Sequence, residues 1–202
     1  MAYEKSLCIL KEKGVKFDKG LSINELNEIE KVYRIKFPDS LRNFLMEALP
    51  VSRGFYNWRD TSNDNVNFIK RVIKEPLLDV YNMAGEVYCY DEWNNKESVA
   101  GEVRRRLETA PALLPVFSHR YMPMLEMKKD PPIISIHGVD IIYYGKNLED
   151  YFDIEFGTKN QAEMEFNDIT PFHFGQKSCD SWNIRKLRQI IIHKYKKLHI
   201  QK

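Results

Sequence analysis

The stretch Pro132-Ile133-Ile134-Ser135-Ile136-His137-Gly138-Val139-Asp140-Ile141-Ile142-Tyr143-Tyr144-Gly145 decides the fold class of this chain. Two apolar, largely β-branched runs flank Gly138-Val139, a pair suited to a type II′ hairpin turn because its first residue must take positive φ. In that register His137 stands opposite Asp140. Upstream lies Leu114-Pro115-Val116-Phe117-Ser118-His119-Arg120-Tyr121-Met122-Pro123, of which Leu113–Phe117 is apolar and β-compatible. Downstream, Leu148–Phe156 reads as a short aromatic helix.

The helices come first along the chain. Tyr3 to about Lys13 is a helix with Leu7 and Leu10 on one side and Gly14 as its stop. Ser22-Ile23-Asn24-Glu25 opens a second. Ser at the N-cap and Glu three residues later satisfy two orphan amides reciprocally. Leu26, Ile29, Val32 and Tyr33 line its apolar face, against Glu28, Glu30 and Lys31. Phe37-Pro38-Asp39-Ser40 starts a third, striped by Leu41, Phe44, Leu45, Ala48 and Leu49 and ended by Pro50.

After a short strand or irregular segment at Phe55–Trp58 comes a helix over Val66–Ala84, with a break or kink expected at Pro76. Lys96–Thr109 and Asn183–Ile200 complete the helical set. Helices first, a small antiparallel sheet, then helices: the predicted class is α+β, with N-terminal helices packed on the sheet and a C-terminal amphipathic helix.

At 202 residues the chain has the length of one domain and needs no disulfide or metal staple. Cys8, Cys89 and Cys179 are odd in number and far apart, which points to reduced thiols and a cytoplasmic setting. The N-terminus lacks the plan of a signal peptide, and no apolar run is long enough for a membrane span. Net charge is +2, unevenly spread. From Lys177 onward eight Lys/Arg face Asp180 alone, whereas residues 1–176 carry a net −5. An acidic body with a basic tail bears on association, not on fold.

The residues offer little catalytic pattern. The five histidines show no H-E-x-x-H and no Cys/His cluster, so no metal is expected. There is no phosphate-binding glycine loop and no G-x-S-x-G elbow, and no cofactor is expected. His119-Arg120 joins a group titrating near neutral pH to an anion clamp. Ser118 is no obvious couple for His119, since neighbours on a strand point to opposite faces. The plain reading is that the pair anchors a strand end, with Asp140 or Glu155 as the ionic partner. Glu149, Asp150, Asp153 and Glu155 read as a solvated face over an aromatic core. Arg104-Arg105-Arg106 alternates with Glu102 and Glu108 as an exposed helix face.

The order of these pieces resembles the SUKH superfamily, which includes the yeast Knr-type regulators of cell-wall synthesis and many bacterial immunity proteins. The resemblance runs from Gly20-Leu21-Ser22 through Tyr33-Arg34-Ile35-Lys36-Phe37-Pro38 and Leu41-Arg42-Asn43-Phe44-Leu45 to the Trp58 region. It resumes at Leu114-Pro115-Val116-Phe117, His119-Arg120-Tyr121-Met122-Pro123 and Asp140-Ile141-Ile142-Tyr143-Tyr144-Gly145, and ends at Glu155-Phe156. The series is similar to the form found in Gram-positive bacteria. It divides the chain into an N-terminal extension (1–19), a SUKH-like domain (20–156) and a C-terminal extension (157–202) whose basic helix packs on the same domain. Two departures stand out: the glycine-rich segment after the third helix is reduced to Gly54, and the Pro76 helix and basic tail have no counterpart.

The resemblance implies an α+β fold without catalysis and, in bacteria, a cognate protein toxin as partner, often a nuclease or deaminase. The residues expected to line the binding groove are Trp58, His119, Arg120, Asp140, Tyr143 and Tyr144, because large aromatics and Arg anchor interfaces. Nucleic acid is not expected as a partner, and nothing in the sequence fixes an oligomeric state. Two alternatives stay open: a small hydrolase or nucleic-acid-modifying enzyme using His119, Arg120 and Asp140, and a nucleic-acid or membrane adaptor working through the basic C-terminal helix.

Overall fold

A computed structural model describes residues 3–87, 101, 104, 105, 107, 108, 110–125, 130–138, 140–165 and 169. Helix α1 (Glu4–Glu12) buries Leu7 and Leu10 and ends before Gly14, whose φ is +77°. Strand β1 (Phe17–Lys19) pairs antiparallel with β2 (Ala48–Pro50), so that Phe17 faces Pro50. Between them run α2 (Ile23–Tyr33) and α3 (Asp39–Glu47). The capping box at Ser22 and Glu25 is formed on both sides. All five apolar residues of the 41–49 stripe are buried, but α3 ends at Glu47, before the expected stop at Pro50: Ala48 and Leu49 belong to β2, where pairing with β1 extends the backbone. The sheet β1–β2 is too short to have left a period-2 signal.

One face of α2 differs from its sequence reading. Val32 is 42% exposed, whereas Glu30 is 6% exposed. The chain turns back at Arg34 in the left-handed region (φ 55°) and brings Lys36, Arg42 and the Phe37 amide onto the Glu30 carboxylate. A charge with three donors tolerates burial that a bare one would not.

Helix α4 (Asn63–Val87) runs unbroken through Pro76, so the expected break is absent. Pro76 sits on the buried stripe with Ile69, Val72 and Val80, where ring packing offsets the lost backbone hydrogen bond. Of the segment read as a helix over 96–109, only a few residues are described. Among them Arg104 stacks on Tyr81 of α4 at 5.1 Å and donates to the Tyr81 carbonyl, so it packs against that helix.

The main sheet has four antiparallel strands in sequence order: β3 (Leu113–Phe117), β4 (Arg120–Pro123), β5 (Ile133–His137) and β6 (Asp140–Gly145). His137 pairs with Asp140 across the β5–β6 turn, and Gly138 has φ +58°. Pro115 is accommodated because β3 is an edge strand. Helix α5 (Leu148–Phe156) follows, capped by Asn147.

Helix α4 packs against β3 on one side of the sheet. The opposite face meets α5, which is joined to α3 by Phe44–Phe152 stacking at 4.9 Å. The sheet is therefore covered by helices on both sides, and the fold is α+β. No described helix is long and apolar enough to cross a membrane. The helix read at 183–200 lies outside the described residues.

Candidate functional site

Of the sequence-nominated residues, His119 and Tyr144 converge on Arg120 at one end of the main sheet. Cross-strand pairing places Arg120 beside Ser135, and Ser135 beside Ile142. Alternation along β6 then puts Tyr144 on that same face and Tyr143 on the other. Over this face lies the C-terminal half of α5.

The Arg120 side chain is 10% exposed and has four partners. Its Nε donates to Glu155 Oε2 at 3.2 Å, and one terminal nitrogen donates to Ser135 Oγ at 2.9 Å. The same nitrogen contacts His119 Nε2. The guanidinium carbon stands 3.7 Å from the centroid of the Tyr144 ring. A carboxylate, a hydroxyl, an imidazole lone pair and a π face are the ligands a cation would seek. Here Arg120 is that cation.

His119 and Ser118 occupy the two-residue turn between β3 and β4. Ser118 takes φ +49°, which frees the pair from strand alternation, and Ser118 Oγ lies 3.2 Å from His119 Nδ1. The expectation that these neighbours point apart is corrected by the turn. A guanidinium can only donate, so the Nε2 that meets it carries the lone pair and the proton resides on Nδ1, toward Ser118. Partial burial, followed by the charges of Arg120 and His137, pulls His119 below the ordinary imidazole value, against the opposing influence of Glu155. The ring of His137 lies 6.3 Å away, centroid to centroid.

The turn is held in place from several sides. Tyr56 donates to the Ser118 carbonyl at 2.7 Å, the Ser118 amide donates to Gly54, and the Ile136 amide donates to His119. Gly54 has φ +98°, and a Cβ there would fall on the Phe117 ring. Beside the turn, Phe55, Phe117 and Phe156 pack ring against ring with partial exposure.

The other nominated residues separate. Trp58 is 3% exposed and packed edge-on between Tyr33 (5.4 Å) and Phe37 (5.1 Å), so it belongs to the core and lines no groove. Tyr143 is buried, and its carbonyl accepts from Gln161 Nε2. Asp140 stands opposite His137 in the ladder. The ionic partner of Arg120 is Glu155, one of the two carboxylates foreseen. Ser135, Tyr56 and Phe117 were not foreseen, and only the strand register of Ser135 could have found it.

The carboxylates of α5 do not form a free solvated face either: Asp150 holds the Lys146 amide and Lys159, and Asp153 holds Lys5 at 2.8 Å. Cys8 is exposed with its thiol toward Glu12, which pushes its pKa up. Cys89 and Cys179 lie outside the described residues. Among the described residues no group of three or more His, Cys, Asp or Glu is placed to hold a metal ion. Compared with known proteins, the chain matches no family model, no curated protein and no solved structure.

Proposed function

We propose that this protein is a non-enzymatic, SUKH-like interaction module that acts as an immunity protein, binding and blocking a cognate toxin. The observation that carries the reading is that separated pieces of the quoted series are one another's contacts. Tyr33 and Phe37 close on Trp58, and Arg120 closes on Glu155. Local signals and long-range contacts that agree in this way are what a sequence specifying a single fold requires.

The polar centre supports the same reading. The His119 lone pair, which a general base would need free, is the acceptor for Arg120, and Arg120 is itself held by Glu155 and Ser135. This arrangement fixes a strand end and presents a rigid turn, and rigid turns bind with less ordering entropy to lose. The hydrolase reading asks instead for an imidazole with an open lone pair. The net charge of −5 over residues 1–176 would steer a basic partner such as a nuclease.

The test is co-expression with candidate toxins, followed by capture of the complex on tagged protein. Protection of the cell together with a one-to-one complex is the expected outcome. Absence of both across the toxins of the source cell rejects the reading. Hydrolytic activity that disappears in His119→Ala would replace it with the enzymatic one.

A further inference from the structure

We propose that His119 and Arg120 form a proton-operated latch on the turn between β3 and β4. With the His119 imidazole neutral, its lone pair holds the turn against Arg120; protonation of that imidazole releases the turn and changes the surface it presents.

The argument begins with the contact itself. Arg120 cannot deprotonate, so its contact with His119 Nε2 exists only while that nitrogen lacks a proton. Once protonated, the nitrogen turns an N–H toward another N–H donor, and the attraction becomes repulsion. His137 is exposed, its ring lies 6.3 Å from His119, and its charge is one of the influences that lower the His119 pKa.

The groups around the imidazoles come from four elements. Glu155 of α5 is already engaged at 3.2 Å by Arg120, so it is shared with the new charge. Ser135 of β5 and Tyr144 of β6 also serve the guanidinium. Asp140 of β6 is the register partner of His137 in the hairpin ladder. Tyr56, from the loop after β2, touches the turn through its hydroxyl and stays neutral throughout, since burial raises its pKa to about 12. One carboxylate, already engaged by Arg120, thus faces a second cation at its side once His119 is protonated.

The remaining restraints define where release is read. The Ser118 amide donates to Gly54 and the Ile136 amide donates to His119. Hydrogen exchange at these two amides reports the turn, and exchange at Leu26 and Ile29 in α2 reports global opening. Between about pH 7.5 and about pH 5.5, corrected for intrinsic exchange, the turn amides should lose protection relative to α2, because the lowered folded value of His119 makes its protonation favour the released turn. In the double variant H119Q/H137Q, where glutamine can accept from Arg120 without titrating, that loss should vanish. An equal loss in the double variant, or none in the wild type, overturns the proposal. Should the variant fail to fold, an NMR titration of the wild type decides the matter. The His119 ring and the Ser118 and Ile136 amides are expected to share one midpoint, and a ring that titrates while both amides stay still refutes the latch.

Discussion

At the scale of single residues, Arg120 is the side chain on which most depends. Its planar fork reaches Glu155 and Ser135 while its face lies on Tyr144. Lysine carries the same charge but has neither fork nor plane. Arg120→Lys should therefore lower unfolding free energy by about 2–3 kcal/mol in urea titrations, and a loss under about 0.5 kcal/mol would show that the cluster is ornamental. Tyr151 is the converse case: it is fully buried, and its hydroxyl has no hydrogen-bond partner among the described residues. Removing an unsatisfied hydroxyl leaves ring packing intact, so Tyr151→Phe should be neutral or stabilising by up to about 1 kcal/mol in the same assay. The role of Arg120 as a strand-end anchor was legible, because an Arg next to a strand needs a carboxylate. Trp58 was not: a tryptophan announces a large apolar contact without saying whether a partner or the core supplies it.

At the scale of elements, α2 joins the most legible feature to a less legible one. Its N-terminus is written in the sequence, since Ser22 and Glu25 each need only a near neighbour. Ser22→Ala should cost about 1 kcal/mol by thermal or chemical unfolding. Its far end is fixed by Glu30, whose carboxylate receives Lys36 at 2.7 Å, Arg42 at 3.0 Å and the Phe37 amide at 3.1 Å. These partners lie after the helix, so helical periodicity could not place Glu30 inside. Truncation to Glu30→Ala should cost about 3 kcal/mol, because Arg42 then loses its buried counter-charge; a cost near that of a surface substitution would contradict this. The β5–β6 turn was legible through Gly138. The β3–β4 turn was not, since Ser118-His119 carries no Gly or Asn to announce positive φ, and so β4 itself went unread.

At the scale of the whole molecule, acidification should remove stability in two separate stages. The folded value of His119 is lowered, so its contribution is complete above the ordinary imidazole range and is lost as pH falls from about 6.5 through the lowered folded value. Carboxylates with lowered folded values contribute above the ordinary carboxylate range and are lost below about pH 4. Glu25, drawn to about 2 by Arg59 and by the Ser22 amide and hydroxyl, and Glu30, whose donors outweigh the upward push of burial, both act there. Melting temperature followed from pH 8 to pH 3 should show both stages. His119→Gln should abolish the upper stage and leave the lower one, and an upper stage that persists in that variant would assign it elsewhere. The sequence by itself determined what local forces decide: the capped start of α2, the apolar stripe of α3 through Leu45, the Gly138 hairpin with His137 opposite Asp140, the span of α5 and the α+β class. Only the tertiary structure decided that Trp58 is core, that Glu30 is buried and Val32 is not, that α4 passes through Pro76, and that Arg120 fills the centre of its own cluster. Those outcomes depend on partners distant in sequence, and the free energy of burial and charge pairing is set by which surfaces meet, not by the order of residues along one segment.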